Sequence, residues 1–195
     1  MRNALFIIDM QNGFLEKSAP IYVPNGISIC SKIKKALNLA RTNNFLIVWT
    51  KVNIERLRNT QYQELFPQHF TKNTTVLSKG SHNYEITSEL IELVMPNDYI
   101  VEKNSYSAFI DTDLLNFLTE KRIQNIFFTG VSTNVCVEST LRDAFQYKFN
   151  CALISDCTKS FSKPYQKLSE EIISFVFGRV INLNQFSKLK FDKNE

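Results

Sequence analysis

Short apolar runs alternate with longer stretches of helical periodicity along almost the whole chain. This alternation is typical of a parallel β-sheet that is wrapped by helices. Most of the short runs are continuously apolar, as expected for strands that are covered on both faces. The predicted strands are Ala4–Ile8, Phe45–Thr50, Tyr99–Glu102, Asn125–Thr129, Asn150–Ser155 and Arg179–Asn182.

The stretches between these strands repeat apolar residues at a spacing of three or four. The pattern is visible in Cys30–Ala40, Leu114–Leu118, Val137–Phe145 and Leu168–Val176. Each stretch is therefore predicted to be a helix that turns one apolar face towards the sheet. The fold class that we predict is α/β, with three α/β/α layers.

The length of the chain, 195 residues, suits one domain, and we expect residues 1–195 to form it. One segment, around residues 51–84, breaks the alternation because it is polar and too long for an ordinary connection. Long connections of this kind are usually functional or disordered. The aromatic residues Tyr62, Phe66, Phe70 and Tyr84 suggest that it packs down as a lid, and we refer to residues 51–84 as the lid segment.

Charge and hydropathy narrow the classes of partner. The chain has 23 Lys and Arg against 19 Asp and Glu, a formal net charge of +4, and the charges are interleaved along it. No basic stripe is available to follow a phosphate backbone, so nucleic acid is not expected as a partner. The apolar run Ala4–Ile8 ends at Asp9, too short for a secretory segment, and no stretch is long enough to span a membrane. We expect a cytoplasmic protein that acts on a small molecule.

The cysteines argue against a disulfide framework or a zinc site, because they form no C-x-x-C pair and no set at metal-ligand spacing. The chain has two histidines, His69 and His82, and we expect both to lie on the surface or in loops. The sequence thus predicts no catalytic metal and no cofactor. The cysteines are Cys30, Cys136, Cys151 and Cys157.

Three reactive residue types follow three of the predicted strands. Asp9 closes the first strand, Lys103 follows the third, and Cys136 comes after the fourth, beyond the turn 130–134. Ligands of an open parallel sheet bind beyond the carboxyl ends of its strands. Each residue alone is more often structural than functional, but together they supply what a cysteine nucleophile requires.

A thiol with an ordinary pKa is mostly protonated at neutral pH, so it needs a base or a positive potential. With Asn134 as the helix N-cap, Cys136 falls in the first helical turn, where free backbone amides favour negative charge. Lys103 adds a cation, and Asp9 can accept the thiol proton. The same amides could bind the oxyanion of a tetrahedral intermediate, which predicts acyl transfer to sulfur followed by hydrolysis.

Three segments resemble the motif blocks of the isochorismatase-like cysteine hydrolases. They are ALFIIDMQNGF (Ala4–Phe14), VEKNSYSAF (Val101–Phe109) and NIFFTGVSTNVCVESTLRDAF (Asn125–Phe145). The resemblance implies an open six-stranded parallel sheet in the order 3-2-1-4-5-6 and a homodimer or homotetramer. It also implies that Asp9, Lys103 and Cys136 form an Asp–Lys–Cys triad.

The resemblance further implies a cis peptide bond between Val131 and Ser132, and an oxyanion hole formed by the backbone amides of Ser132 and Cys136. Several nearby residues are candidates for substrate contact, although each has an ordinary structural alternative as a core residue or turn cap. These candidates are Gln11, Asn12, Phe14, Tyr106 and Phe109.

Departures from the family pattern narrow the expected reaction. Metal-dependent members carry an Asp-x-His pair after the second strand, where this chain has Thr50–Ile54. Cys136 favours cleavage of a C–N bond, and the segment Thr133–Asp143 is most similar to the ureidoacrylate amidohydrolase branch. We therefore expect hydrolysis of a small ureido, carbamoyl or amide substrate. The alternatives are vinyl-ether hydrolysis of isochorismate, with Cys136 as a bystander, and a silent binding module of the same fold.

Overall fold

The structure is a computed structural model, and it describes residues 2–19, 21–70 and 76–191. Six parallel strands form one sheet, in the spatial order third, second, first, fourth, fifth, sixth. This is the topology that the resemblance implied. The strands are β1 (Arg2–Ile8), β2 (Leu46–Val52), β3 (Tyr99–Lys103), β4 (Ile123–Val131), β5 (Asn150–Lys159) and β6 (Arg179–Ile181).

Helices connect the strands, and short 3-10 and π-helical turns adjoin several of them. The α-helices are α1 (Asn12–Leu15), α2 (Cys30–Thr42), α3 (Gln61–Leu65), α4 (Leu114–Glu120), α5 (Glu138–Gln146), α6 (Lys163–Ile172) and α7 (Leu183–Ser187). The 3-10 turns are Gly26–Ile29, Ile54–Leu57, Pro67–His69, His82–Tyr84 and Ile91–Leu93, and the π-helical turns are Thr133–Val137 and Ile173–Phe177. No helix in the described ranges is long and apolar enough to cross a membrane.

Alternation along β1 divides the core into two layers. Leu5 and Ile7 pack on the face of the sheet that α2 and α7 cover. Phe6 and Ile8 pack on the opposite face with residues of α4 and α5. Because both faces are covered, the strand from Ala4 to Ile8 is completely buried and carries no polar side chain.

The strand ends differ from the sequence prediction at two places that matter for the site. Lys103 is the last residue of β3, not the residue after it, because β3 pairs with β2 as far as Val52 and Lys103. Strand β5 continues to Lys159, four residues beyond the predicted end. The register of β4 against β5 shifts after Phe128, which lets β5 pair with β4 again near its end.

The carboxyl ends of β1 and β4 lie side by side at the centre of the sheet, where the strand order changes direction. Gly130 is required at this point. Its φ angle is +109°, and a Cβ atom there would collide with the carbonyl of Ile8. Glycine therefore lets β4 approach β1 closely while the chain turns towards the residues that follow.

The lid segment lies over the same edge of the sheet. Its described residues form the 3-10 turn Ile54–Leu57, helix α3 and the 3-10 turn Pro67–His69. Tyr62 and Phe70 pack against the core layer of β2, with their ring centroids 6.0 Å apart. The lid segment is thus anchored to the domain by its aromatic residues.

Candidate active site

Asp9 follows β1 directly and is held in the left-handed backbone region, with a φ angle of 52°. Its side chain is completely buried, and Oδ1 accepts a 2.5 Å hydrogen bond from Thr50 Oγ1 at the end of β2. The Asp9 amide in turn donates to Thr50 Oγ1 over 3.1 Å. These contacts fix the carboxylate at the carboxyl edge of the sheet with its other oxygen turned away from Thr50.

Lys103 lies beside this second oxygen. Its Nζ is 2.9 Å from Asp9 Oδ2, and both side chains are fully buried. Nζ also donates to the carbonyls of Ser105, over 2.9 Å, and Tyr106, over 3.2 Å. Burial opposes the charged ammonium, but the attraction of Asp9 and the Cys136 sulfur outweighs it and raises the pKa of Lys103.

Cys136 lies in the π-helical turn that leads into α5, and its thiol is within hydrogen-bonding reach of both Asp9 and Lys103. The three residues that the sequence placed at one edge therefore meet in one cluster. Burial raises the pKa of the Cys136 thiol to about 12, although Lys103 acts to lower it. The sulfur is thus a protonated thiol at neutral pH. Burial therefore outweighs the positive potential of Lys103, and the thiol depends on Asp9 as its base.

Asp9 Oδ2 is suited to take the proton of this thiol. Among the described residues it accepts no well-oriented hydrogen bond, although it contacts the Lys103 ammonium as an ion pair. A buried carboxylate oxygen without a directed donor is a strong acceptor. The geometry therefore favours transfer of the Cys136 proton to Asp9.

The turn before Cys136 has the predicted backbone. The peptide bond between Val131 and Ser132 is cis, and the amides of Val135 and Val137 donate to the carbonyl of Ser132. The helix begins two residues earlier than expected: its N-cap is Ser132, not Asn134. The Asn134 side chain instead accepts hydrogen bonds from the hydroxyls of Ser132 and Ser160, and it ties the turn to the loop after β5.

A cavity of about 180 Å³ opens next to Cys136, and its walls are almost entirely apolar. The lid segment forms one side of it, and the turn before α5 forms another. The residues that line it are Phe14, Ile21, Val52, Ile54, Leu57, Tyr62, Phe66, His69, Ser105, Tyr106, Ser132, Val135, Cys136 and Phe161.

Comparisons with known proteins identify the family of this chain. Residues 3–185 match the isochorismatase domain family model. The chain belongs to the isochorismatase family. The ureidoacrylate amidohydrolase RutB of Enterobacter sp. (strain 638) is 30% identical over 206 residues, which cover 94% of this chain and 87% of that protein.

Solved structures of isochorismatase-like proteins share the fold. An isochorismatase-like hydrolase from Alkaliphilus metalliredigens is 27% identical with a TM-score of 0.79, covering 96% of this chain and 98% of that one. The N-carbamoylsarcosine amidase of Thermoplasma acidophilum is 21% identical with a TM-score of 0.78, covering 94% of this chain and 98% of its own. The second likeness concerns the fold alone.

The stretch at the end of β2, Thr50–Ile54, does not contain the Asp-x-His pair of metal-dependent isochorismatase-like enzymes. No group of three or more His, Cys, Asp or Glu in the described part of the chain could hold a metal ion. After β2, Lys51 pairs with Glu85 over 2.8 Å, and Asn53 caps the following 3-10 turn by accepting from the Glu55 amide. The residues present at this position do not fit a metal, and the reaction proposed below uses none.

Two of the five candidates for substrate contact line the cavity, namely Phe14 and Tyr106. Gln11 does not line the cavity. Its buried side-chain amide donates hydrogen bonds to the carbonyls of Val52 and Tyr84 and accepts one from the backbone amide of Val52. It joins β2 to the lid segment.

Asn12 and Phe109 are also structural, and they do not line the cavity. The Asn12 side chain donates to the carbonyl of His82 over 3.0 Å, so it holds the end of the lid segment and does not orient Asp9. The Phe109 ring is buried against those of Tyr147 and Phe149 beneath α5.

Sequence reasoning missed His69 as a cavity residue. It was expected at the surface or in a loop, but it is buried in the lid segment and lines the cavity beside Tyr62 and Phe66. Its Nδ1 is 3.0 Å from Tyr62 Oη. The spacing of the aromatic residues around it was visible in the sequence, but the direction in which this cluster packs was not. His82 does lie at the surface, with Nε2 2.7 Å from Glu16 Oε1.

Proposed function

We propose that the protein is a metal-independent cysteine hydrolase that cleaves the C–N bond of a small ureido, carbamoyl or amide substrate through an acyl intermediate on Cys136. The observation that carries this proposal is the interaction of the Cys136 thiol with the buried Asp9–Lys103 pair beside an apolar cavity. A nucleophile, a base and a cation in one cluster are the requirements of covalent acyl transfer.

In the first half of the reaction, Asp9 Oδ2 takes the proton of Cys136 as the sulfur attacks the substrate carbonyl. When the thiol loses its proton, the Lys103 ammonium stabilises the negative charge that forms on the Cys136 sulfur. The backbone amides of Ser132 and Cys136 then receive the carbonyl oxygen of the tetrahedral intermediate, a contribution of about 2.7–4 kcal/mol for each donor. The proton moves from Asp9 to the leaving nitrogen, the C–N bond breaks, and the amine departs.

In the second half, water replaces the amine. Asp9 is ionised again, and it removes a proton from the water molecule while the water oxygen attacks the thioester carbon. The new tetrahedral intermediate collapses, the C–S bond breaks, and the proton on Asp9 returns to the Cys136 sulfur. The products are an amine or ammonia and an acid, and the enzyme regains its initial state.

The relatives support the choice of bond. The relative that is 30% identical is named a ureidoacrylate amidohydrolase, and this name describes cleavage of a C–N bond. Vinyl-ether hydrolysis, the main alternative, gives no role to a thiol at the base of the cavity. We therefore assign C–N hydrolysis.

The test is turnover of a panel of ureido, carbamoyl and carboxamide compounds, together with isochorismate, by the wild type and by Cys136→Ala. We expect ammonia or amine release by the wild type and a loss of at least about 1,000-fold in Cys136→Ala. Cys30→Ala is the matched control, because Cys30 is also a buried thiol, and it should keep full activity.

The intermediate provides a second readout. Intact-mass analysis of the wild type during turnover should show one acyl adduct, and peptide mapping should locate it at Cys136. Isochorismate turnover that survives in Cys136→Ala would instead support the vinyl-ether reaction. A folded wild type that hydrolyses no compound of the panel would support a silent binding module.

A further inference from the structure

The described residues that line the cavity beside Cys136 offer no charged group to a ligand. Its walls are the apolar side chains of Phe14, Ile54, Leu57, Phe66, Val135 and Phe161, and none of the described residues that line it is Lys, Arg, Asp or Glu. A substrate that enters must therefore leave water for an apolar environment. An ionised carboxylate does so at a large cost unless a cation is present to pair with it.

Lys103, the nearest cation, is already occupied. Its ammonium forms an ion pair with Asp9 Oδ2 and donates hydrogen bonds to the carbonyls of Ser105 and Tyr106, and its side chain is fully buried. A substrate carboxylate could pair with the Lys103 ammonium only by displacing Asp9, which the proposed reaction requires as its base. The described residues thus hold no second cation for an acidic substrate.

His69 is the one imidazole among the described residues that line the cavity. His69 lines the cavity, and its Nδ1 is held by Tyr62 Oη at 3.0 Å. Its ring stacks on Phe66 with the centroids 5.4 Å apart and an angle of 8° between the planes, so the imidazole has a fixed orientation. Its Nε2 has no hydrogen-bond partner among the described residues and is not fully buried.

The protonation states of Tyr62 and His69 determine whether His69 Nε2 donates or accepts a hydrogen bond. Burial lowers the pKa of His69 and raises the pKa of Tyr62, so both groups are neutral at pH 7. The contact between Tyr62 Oη and His69 Nδ1 allows either direction of donation; with the hydroxyl taken as the donor, the imidazole proton is on Nε2. His69 then offers one neutral N–H donor to an oxygen or nitrogen acceptor on the ligand.

We infer that the substrate is an uncharged amide or urea with a small apolar acyl group and one acceptor atom that His69 Nε2 contacts. This inference rests on the proposed function and narrows its substrate class. It separates this chain from its RutB relatives, because ureidoacrylate, the compound in their name, carries a carboxylate.

A pair of ligands with the same shape and different charge tests the inference. In 4-oxopentanamide a methyl ketone replaces the carboxylate of succinamate, and butanamide lacks the acceptor altogether. We expect kcat/KM for 4-oxopentanamide to exceed that for succinamate by at least about 100-fold, because succinamate buries an unpaired charge. Equal or faster turnover of succinamate would overturn the inference and leave the proposed function intact.

His69→Phe tests the second part. Phenylalanine retains the stack on Phe66 and removes Nε2, so the KM for 4-oxopentanamide should rise about 10-fold with little change in kcat, as expected for loss of one hydrogen bond. The KM for butanamide should stay the same. An equal effect on both amides would show that His69 only supports the lid segment and would overturn its assignment.

A designed cation provides the converse test. Leu57→Arg places a guanidinium at the cavity wall, and it should raise kcat/KM for succinamate about 10-fold relative to the neutral control Leu57→Gln. No gain for succinamate in Leu57→Arg would contradict the view that a missing cation excludes acids.

Binding separates this inference from the reaction itself. Calorimetry with Cys136→Ala, which has no nucleophile, should show tighter binding of 4-oxopentanamide than of succinamate by about 100-fold. That preference in a protein whose wild type hydrolyses no compound of the panel would refute the proposed function and leave only the preference of the cavity for an uncharged ligand. Tighter binding of succinamate, or binding of neither ligand, would overturn the inference whatever the wild type hydrolyses.

Discussion

The ammonium of Lys103 lies 2.9 Å from Asp9 Oδ2, and neither side chain is exposed to solvent. The two residues come from the ends of β3 and β1, which are separated in the sheet by β2. A pair buried in this way is weak evidence for stability by itself, but removal of one partner leaves the other as an unpaired buried charge. The pair thus links the stability of the fold to the proposed chemistry.

Lys103→Met should lower the free energy of unfolding by about 3–5 kcal/mol, because Asp9 is left buried and unpaired. The double variant Asp9→Asn, Lys103→Met should recover a large part of that loss while remaining inactive. Urea unfolding followed by circular dichroism measures both variants. A double variant no more stable than Lys103→Met would show that the loss arises from packing instead of charge.

Asp9→Asn should change the reactivity and the turnover of Cys136 in opposite directions. The Asp9 charge acts to raise the pKa of the thiol, so its removal makes the thiol more acidic and alkylation by iodoacetamide at pH 8 faster. Hydrolysis should fall at least about 100-fold, because the base is lost. Peptide mapping gives the alkylation rate at Cys136, and slower alkylation in Asp9→Asn would contradict this account.

The stability of the protein should fall as the pH rises above about 9. Burial raises the pKa of Cys30 to about 11 and the pKa values of Cys136, Cys151 and Cys157 to about 12. The unfolded thiols ionise at lower pH than the folded ones, so each group contributes a loss of about 1.4 kcal/mol per pH unit between its two pKa values. Urea unfolding from pH 7 to 10.5 measures this, and Cys151→Ala should show a shallower decline.

Gly130→Ala should destabilise the protein by about 2 kcal/mol or more and should reduce activity. Its φ angle of +109° is unfavourable for alanine, and the added Cβ would collide with the Ile8 carbonyl beside Asp9. Gly80→Ala is the control, since Gly80 also has a positive φ, +84°, but has open space around it. Thermal unfolding should place Gly80→Ala much closer to the wild type.

We propose that the exposed face of α6 and the π-helical turn after it joins two copies of the chain. Phe175 is 86% exposed there, and Leu168 is also exposed. Lys167 and Glu171 lie beside these residues and pair with each other over 3.6 Å, and two antiparallel copies would let the exposed pair exchange partners across the interface. Light scattering after size exclusion should give a dimer for the wild type and a monomer for Phe175→Ser. A monomeric wild type would refute this interface.

The sequence was sufficient to predict the sheet and its helices, because a strand covered on both faces must be continuously apolar and a covering helix must repeat at its own period. It was less accurate at strand ends. Lys103 and the last residues of β5 belong to strands because neighbouring strands pair with them, and pairing depends on chain segments far away in sequence.

Some features of the candidate site were also predictable from the sequence, and others were decided by the tertiary structure. The identities of Asp9, Lys103 and Cys136, and the motifs around them, could be interpreted from local sequence, since parallel strands deliver their carboxyl ends to one edge. The protonated state of the Cys136 thiol, the structural use of Gln11 and Asn12, and the turning of His69 into the cavity were decided by the tertiary structure. Burial and the direction of a side chain depend on contacts between distant segments, whereas periodicity and residue type are local properties of the chain.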